Sequence, residues 1–210
     1  MTGSNPLLLY GIQGGTATSV KYNNVALTKL IDILDSSSAG FQLWYLVGPT
    51  SGSNTFNTNS SGARTFLASY NGVSQSGFPD ASGSDNTAGN PKSLAVTTVA
   101  DNCWIAAFAM DSQGSVTQST GTTRATEGGF AIWFDSGTPK TPAGSYTSTA
   151  SWTAGSGSNK AIVCVSFAPA VGTTTSTTTS SSTSTSTSSS TSTSTSTSTT
   201  STSSSTSTTS

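Results

Sequence analysis

The side chains in this 210-residue chain that could carry chemistry are few and scattered. Its acids are Asp32, Asp35, Asp80, Asp85, Asp101, Asp111, Asp135 and the single glutamate, Glu127. A facing pair of carboxylates could hydrolyse a glycosidic bond. These acids show no such spacing, and most sit beside turn residues, where Asp accepts local backbone hydrogen bonds. With no histidine and no nucleophile motif, Ser-His-Asp chemistry is excluded. Cys103 and Cys164 are the only thiols, and two thiolates without an imidazole are too few for a metal site. Asp80 and Asp85 share a loop-like stretch with too few oxygen ligands for calcium. Gly155-Ser156-Gly157 lacks the strand–loop–helix setting of a phosphate loop. No catalytic, cofactor-binding or metal-ligating residue is assigned, and the chain reads as non-enzymatic.

Binding chemistry is better represented. Four tryptophans could stack on sugar rings if exposed. Trp44 and Trp104 lie in runs that are apolar on both faces and read as core, which leaves Trp133 and Trp152 as candidate sugar platforms. Cys103 and Cys164 each lie in an apolar, strand-like run. They read either as two buried free thiols or as one disulfide between neighbouring strands. Asn59-Ser60-Ser61 is an N-glycosylation acceptor pattern, a weak signal in so serine-rich a chain.

Positioning these residues falls to strands. Phe41-Gln42-Leu43-Trp44-Tyr45-Leu46-Val47 is apolar on both faces and stops at Gly48-Pro49, so it reads as a central strand covered on two sides. Cys103–Met110 reads the same way. Leu7–Ile12 is a short apolar run ended by Gly14-Gly15. Asn23-Asn24 supplies the positive φ angles of a tight hairpin between Ser19–Tyr22 and Val25–Leu27. Thr28–Leu34 favours strand over helix on its flanks, and Ser74–Pro91, rich in Gly, Ser, Asp and Pro, reads as a long surface loop. Further strands are expected around Arg64–Val73, Ser93–Val99, Phe130–Phe134, Ser145–Trp152 and Ala161–Ala168. About ten short strands with frequent turns and no helix predict an all-β fold, a single antiparallel β-sandwich of jelly-roll or immunoglobulin-like Greek-key type.

Composition divides the chain. Residues 1–171 hold all the apolar and all the charged side chains, enough for one buried core, whereas from Thr173 to Ser210 every residue is Ser or Thr. A domain over 1–171 and a low-complexity tail over 172–210 are expected. The tail cannot bury a core, so it reads as a disordered or extended spacer, on the order of 120 Å long if fully extended at about 3.3 Å per residue. It is also a field of O-glycan acceptors, among them Thr173, Thr174, Thr175, Thr191, Thr193, Thr195 and Thr197. The net charge of −1 offers no basic patch for nucleic acid. No apolar run is long enough for a transmembrane helix. The start lacks a signal-peptide pattern, which leaves release by lysis, as for virion parts, or a mature or truncated form.

Several stretches carry a resemblance: Gly3-Ser4-Asn5-Pro6-Leu7-Leu8-Leu9, Val20-Lys21-Tyr22-Asn23-Asn24-Val25-Ala26-Leu27-Thr28, Leu43-Trp44-Tyr45-Leu46-Val47-Gly48-Pro49, Ser69-Tyr70-Asn71-Gly72-Val73, Asp101-Asn102-Cys103-Trp104 and Ser166-Phe167-Ala168-Pro169. Over about residues 3–169 the chain resembles uncharacterised β-sandwich surface or virion modules of environmental bacteria and bacteriophages. The resemblance implies a non-enzymatic module and brings no functional residues with it. Such modules usually have one more strand before the Gly-Ser-Asn stretch. Its absence here would leave an unpaired edge, a template for strand donation between subunits. Leu7, Leu8, Leu9, Tyr10, Gly11 and Ile12 are then the candidate inter-subunit strand, and a truncated or divergent edge strand is the plainer alternative. Two functions follow as expectations. One is a structural subunit that self-assembles into a homo-oligomer or helical polymer, as an extracellular filament or virion appendage. The other is an adhesin or receptor-binding module for surface glycans.

Overall fold

In the computed structural model the described residues are 3–34, 40–60, 64–87, 89–111, 115–153 and 160–171. Among them are fifteen strands and no helix. In chain order these are β1 (Leu7–Gln13), β2 (Val20–Tyr22), β3 (Val25–Ala26), β4 (Thr28–Leu34), β5 (Gly40–Val47), β6 (Phe56–Thr58), β7 (Arg64–Tyr70), β8 (Ala81–Asp85), β9 (Lys92–Thr97), β10 (Trp104–Asp111), β11 (Val116–Gln118), β12 (Thr122–Glu127), β13 (Ala131–Asp135), β14 (Ser145–Trp152) and β15 (Lys160–Phe167). The Ser/Thr tail lies outside the described residues.

The strands form four antiparallel sheets, ordered β4-β5-β1-β7, β12-β13-β10-β15-β8, β11-β14-β9 and β3-β2-β6. Strand alternation shows how they stack. Leu7 and Leu9 of β1 and Phe41 and Leu43 of β5 point into a core shared with Ala106, Phe108 and Met110 of β10 and Val163 and Val165 of β15. The intervening residues Leu8, Tyr10, Ile12 and Trp44 point the other way, onto Val20 and Tyr22 of β2. On β10, Ile105, Ala107 and Ala109 likewise turn away, onto Val96 of β9 and Ala150 and Trp152 of β14. The central strands of the two larger sheets are thus covered on both faces, and the two three-stranded sheets form outer layers over them. A single two-layer sandwich would have left one apolar face of both β5 and β10 in water. The expected double coverage of those strands required extra layers, and the structure supplies them.

Other local expectations resolve in the same terms. Asn23 and Asn24 adopt φ of 49° and 63° in the β2–β3 hairpin, the left-handed pair that a two-residue type I′ turn needs. The stretch Ser74–Pro91, read as one long loop, contains β8, which pairs with β15 from Ala81↔Ser166 to Asp85↔Ile162. Its sequence, Ala-Ser-Gly-Ser-Asp, has no apolar alternation. What holds it is the ladder to a fully buried neighbour, a case of tertiary context overriding propensity. Between the two main sheets, Phe108 packs against three aromatic rings, those of Phe41, Phe66 and Trp133. Its ring centroid lies 3.7 Å from that of Trp133 and 5.8 Å from that of Phe41. Gly11 makes this approach possible, since a Cβ there would stand 2.9 Å from Phe108 Cε1.

The expectation for Leu7–Ile12 is corrected. β1 is paired on both sides, with Leu7↔Val47 on β5 and Leu7↔Tyr70 on β7, and all seven of its residues are buried. Its backbone groups are already spent on its own sheet, so β1 neither offers an open edge nor stands free to be donated.

Candidate functional site

Where the edge strand β7 meets the edge of the neighbouring sheet at β12 and β13, a cleft of about 310 Å3 opens. It is lined by Ala68, Tyr70, Trp104, Arg124, Trp133 and Asp135. Each side chain is aimed by its strand register. Tyr70 ends β7 on the side facing the main core, Trp104 begins β10, and Asp135 ends β13. Arg124 sits at a bulge in β12, where the pairing with β13 shifts between Thr123 and Ala125. A bulge re-aims the side chain it carries, here onto Asp135.

The polar atoms form one connected chain. Arg124 grips Asp135 with two bonds, Nε to Oδ2 at 2.6 Å and an Nη to Oδ1 at 3.0 Å. The Gly137 backbone N–H donates to Oδ1 at 2.9 Å. The Tyr70 hydroxyl donates to Asp135 Oδ2 at 3.3 Å and accepts from Trp133 Nε1 at 3.1 Å. Burial raises the Tyr70 phenol pKa well above its ordinary value; the Trp133 bond lowers it and the adjacent Asp135 carboxylate raises it further. Tyr70 therefore stays a neutral donor. The Asp135 side chain is 1% exposed and the Arg124 side chain 44% exposed, so the carboxylate anchors the pair while the guanidinium presents its outer edge to solvent. Fork-to-fork geometry of this kind fixes direction as well as adding energy.

Two aromatic rings complete the cleft. Tyr70 packs at 4.7 Å from Phe167 and 6.5 Å from Trp104, centroid to centroid, and both Tyr70 and Trp104 remain partly exposed. The candidate sugar platforms from the sequence do not. Trp133 is 1% and Trp152 5% exposed, each locked in a core between sheets, so neither offers a face to a ligand. The tryptophan that does is Trp104, which sequence reasoning placed in the core. Its position at the start of β10, two residues after the Asp101-Asn102 turn, was the available signal.

The remaining candidates are placed as follows. Cys103 and Cys164 are both free and buried. The register sets Cys164 opposite Ala107, four positions along the sheet from Cys103, roughly 13 Å at about 3.3 Å per residue. A disulfide needs Cα atoms within about 7 Å, so of the two readings the structure has the two separate buried thiols and not the bridge. Burial pushes the Cys103 thiol up to about 11, helped by the nearby Asp80, and the Cys164 thiol up to about 12. At pH 8 a thiol with a pKa of about 11 is ionised only about one part in a thousand. Both should resist iodoacetamide in the native protein and react fully in 6 M guanidinium chloride; native labelling of either, read by mass spectrometry, would contradict this burial. Asn59 is exposed, but its amide bridges two backbone N–H groups and the Thr18 hydroxyl, with Nδ2 to Oγ1 at 2.7 Å. Thr173, Thr174, Thr175, Thr191, Thr193, Thr195 and Thr197 lie outside the described residues.

Among the described residues, no group of three or more His, Cys, Asp or Glu side chains is placed to hold a metal ion. No helix among them is long and apolar enough to cross a membrane. Comparison with protein-family models, curated proteins and solved structures finds no match for this chain, so its fold and its cleft stand on their own geometry.

Proposed function

We propose that this protein is a non-enzymatic, extracellular or virion-surface module that binds a carbohydrate in the Tyr70–Trp104–Arg124 cleft. The observation that carries the reading is the pairing of two partly exposed aromatic rings with a buried-anchored Arg–Asp fork in a cleft of about 310 Å3. Sugar rings present apolar C–H faces and polar rims together. An aromatic face beside a fixed polar edge complements both. The Ser/Thr tail suits a spacer carrying the module away from a surface, with O-glycans on its threonines.

Against donation of Leu7–Ile12 between subunits stands the pairing of β1 with both β5 and β7 in its own sheet. At the free edge of the larger sheet, β12 carries a bulge, Arg124 and Glu127, devices that discourage edge-to-edge pairing.

The test is saturable binding of the purified protein to a glycan array, repeated with Trp104→Leu. Leucine keeps an apolar side chain in the core but removes the ring face. Binding should fall about tenfold or more, equivalent to about 1.4 kcal/mol, with the thermal midpoint little changed. Unchanged binding in that variant would place the ligand elsewhere. Filaments of wild-type protein in negative stain, without glycan binding, would restore the assembly reading.

A further inference from the structure

We infer that the ligand is a neutral oligosaccharide of at least two sugar units, lying across two subsites that meet at Trp104. The inference rests on the carbohydrate reading of the first cleft. A second cleft, of about 320 Å3, adjoins it and shares Tyr70 and Trp104 as lining. Its other walls include Asn71, Asn102, Pro139 and Phe167. Each cleft alone is at the low end of the roughly 300–1,000 Å3 typical of small-ligand sites. Together, with an aromatic residue at the boundary, they form an extended groove.

Charge decides the class of sugar. The only charged groups lining the first cleft are Arg124 and Asp135, and these neutralise each other through two hydrogen bonds. No charged side chain lines the second cleft among the described residues. An acidic sugar would find no uncompensated cation, and a basic one no uncompensated anion. What the groove does offer is neutral hydrogen bonding. Asn71 and Asn102 are exposed, line the second cleft, and spend no side-chain hydrogen bond on other described residues. Amides that donate and accept at once suit hydroxyl groups, which do the same. Pro139 and Phe167 add an apolar wall on which a second ring can rest.

Asn102 also permits a clean probe. Its φ is 59°, the left-handed region that glycine adopts at no cost, so Asn102→Gly deletes the amide while keeping the turn. The experiment is an array of neutral and acidic glycans, from monosaccharides to hexasaccharides, probed with the wild-type chain, Asn102→Gly and Trp104→Leu, each with a thermal melt as a folding control. Expected are neutral hits that strengthen at least fivefold from one unit to two, and that weaken less than twofold between 50 and 500 mM NaCl. Asn102→Gly should weaken disaccharide binding several-fold and leave monosaccharide binding alone, whereas Trp104→Leu should weaken both. Equal affinity for mono- and disaccharides, or an Asn102→Gly variant that binds disaccharides normally, would overturn the two-subsite inference and leave the carbohydrate reading standing. Strongest binding to uronates or sialosides would overturn neutrality. No binding to any glycan would remove the carbohydrate reading itself.

Discussion

Lys160→Met should lower the stability of the folded domain by about 3–5 kcal/mol, the usual cost of stripping the partner from a buried charge. Asp111 and Lys160 stand directly opposite each other at the end of the β10–β15 ladder, their side chains 2% and 3% exposed and 3.7 Å apart from Nζ to Oδ2. Gln13 of β1 reaches across from the facing sheet to donate to the Asp111 carbonyl at 3.0 Å, so the pair also lies where the two main sheets meet. Taking one charge out of water is expensive, and a partner of opposite charge offsets part of that cost. Removing Lys160 leaves the carboxylate in a site built for an ion pair. Equilibrium urea unfolding should show the midpoint falling by at least 1 M, given slopes of about 1–3 kcal/mol/M. The double variant Asp111→Leu/Lys160→Met should recover most of the loss, because two apolar side chains of similar size satisfy the same space without a charge. A double variant no better than Lys160→Met would show that lost packing, not the stranded charge, sets the cost.

The second large effect is expected at Gly121, which enters β12 with φ of 76°. A Cβ at that position would overlap the Asp135 carbonyl oxygen and stand 2.9 Å from its carbonyl carbon. Alanine therefore meets two separate penalties: a left-handed backbone, costing about 1–3 kcal/mol for a residue other than glycine, and a collision with backbone that a rotamer change cannot relieve. Gly121→Ala should cost about 3 kcal/mol or more of stability, read as a lowered thermal midpoint. The same collision pushes on the residue whose carboxylate aims Arg124 into the cleft. Glycan binding by the surviving folded fraction should weaken with it. A variant with wild-type stability would mean that the β12–β13 edge gives way more easily than its ladder suggests.

Much of the fold is legible in residue order, and the misses have identifiable causes. Phe41–Val47 and Cys103–Met110 announced themselves as central strands because both faces are apolar, and each does lie between two neighbours in its sheet. Asn23-Asn24 announced its turn because few residues other than glycine tolerate two consecutive positive φ angles. The same double coverage, followed through, implies more than two layers, since every apolar face needs a partner. β8 could not be seen, as nothing in Ala-Ser-Gly-Ser-Asp prefers extended structure; its place comes from the β15 edge it completes. The place of β1 between β5 and β7 is hidden for a related reason. An apolar run near the start of a chain does not say which strands will flank it, and both β5 and β7 come later in sequence.

The site was hidden more deeply. Tyr70, Trp104, Arg124 and Asp135 come from four different strands, and no spacing along the chain connects them. The sequence alone determined that this is a weakly charged chain without histidine, and that its described residues favour strands, because those properties belong to residue types and local alternation. Only the tertiary structure decided which tryptophan keeps a free face, that the two cysteines stand apart, and that a buried carboxylate turns a bulged arginine toward an aromatic cleft. Those depend on which strand edges meet, and strand pairing is a long-range choice that local sequence leaves open.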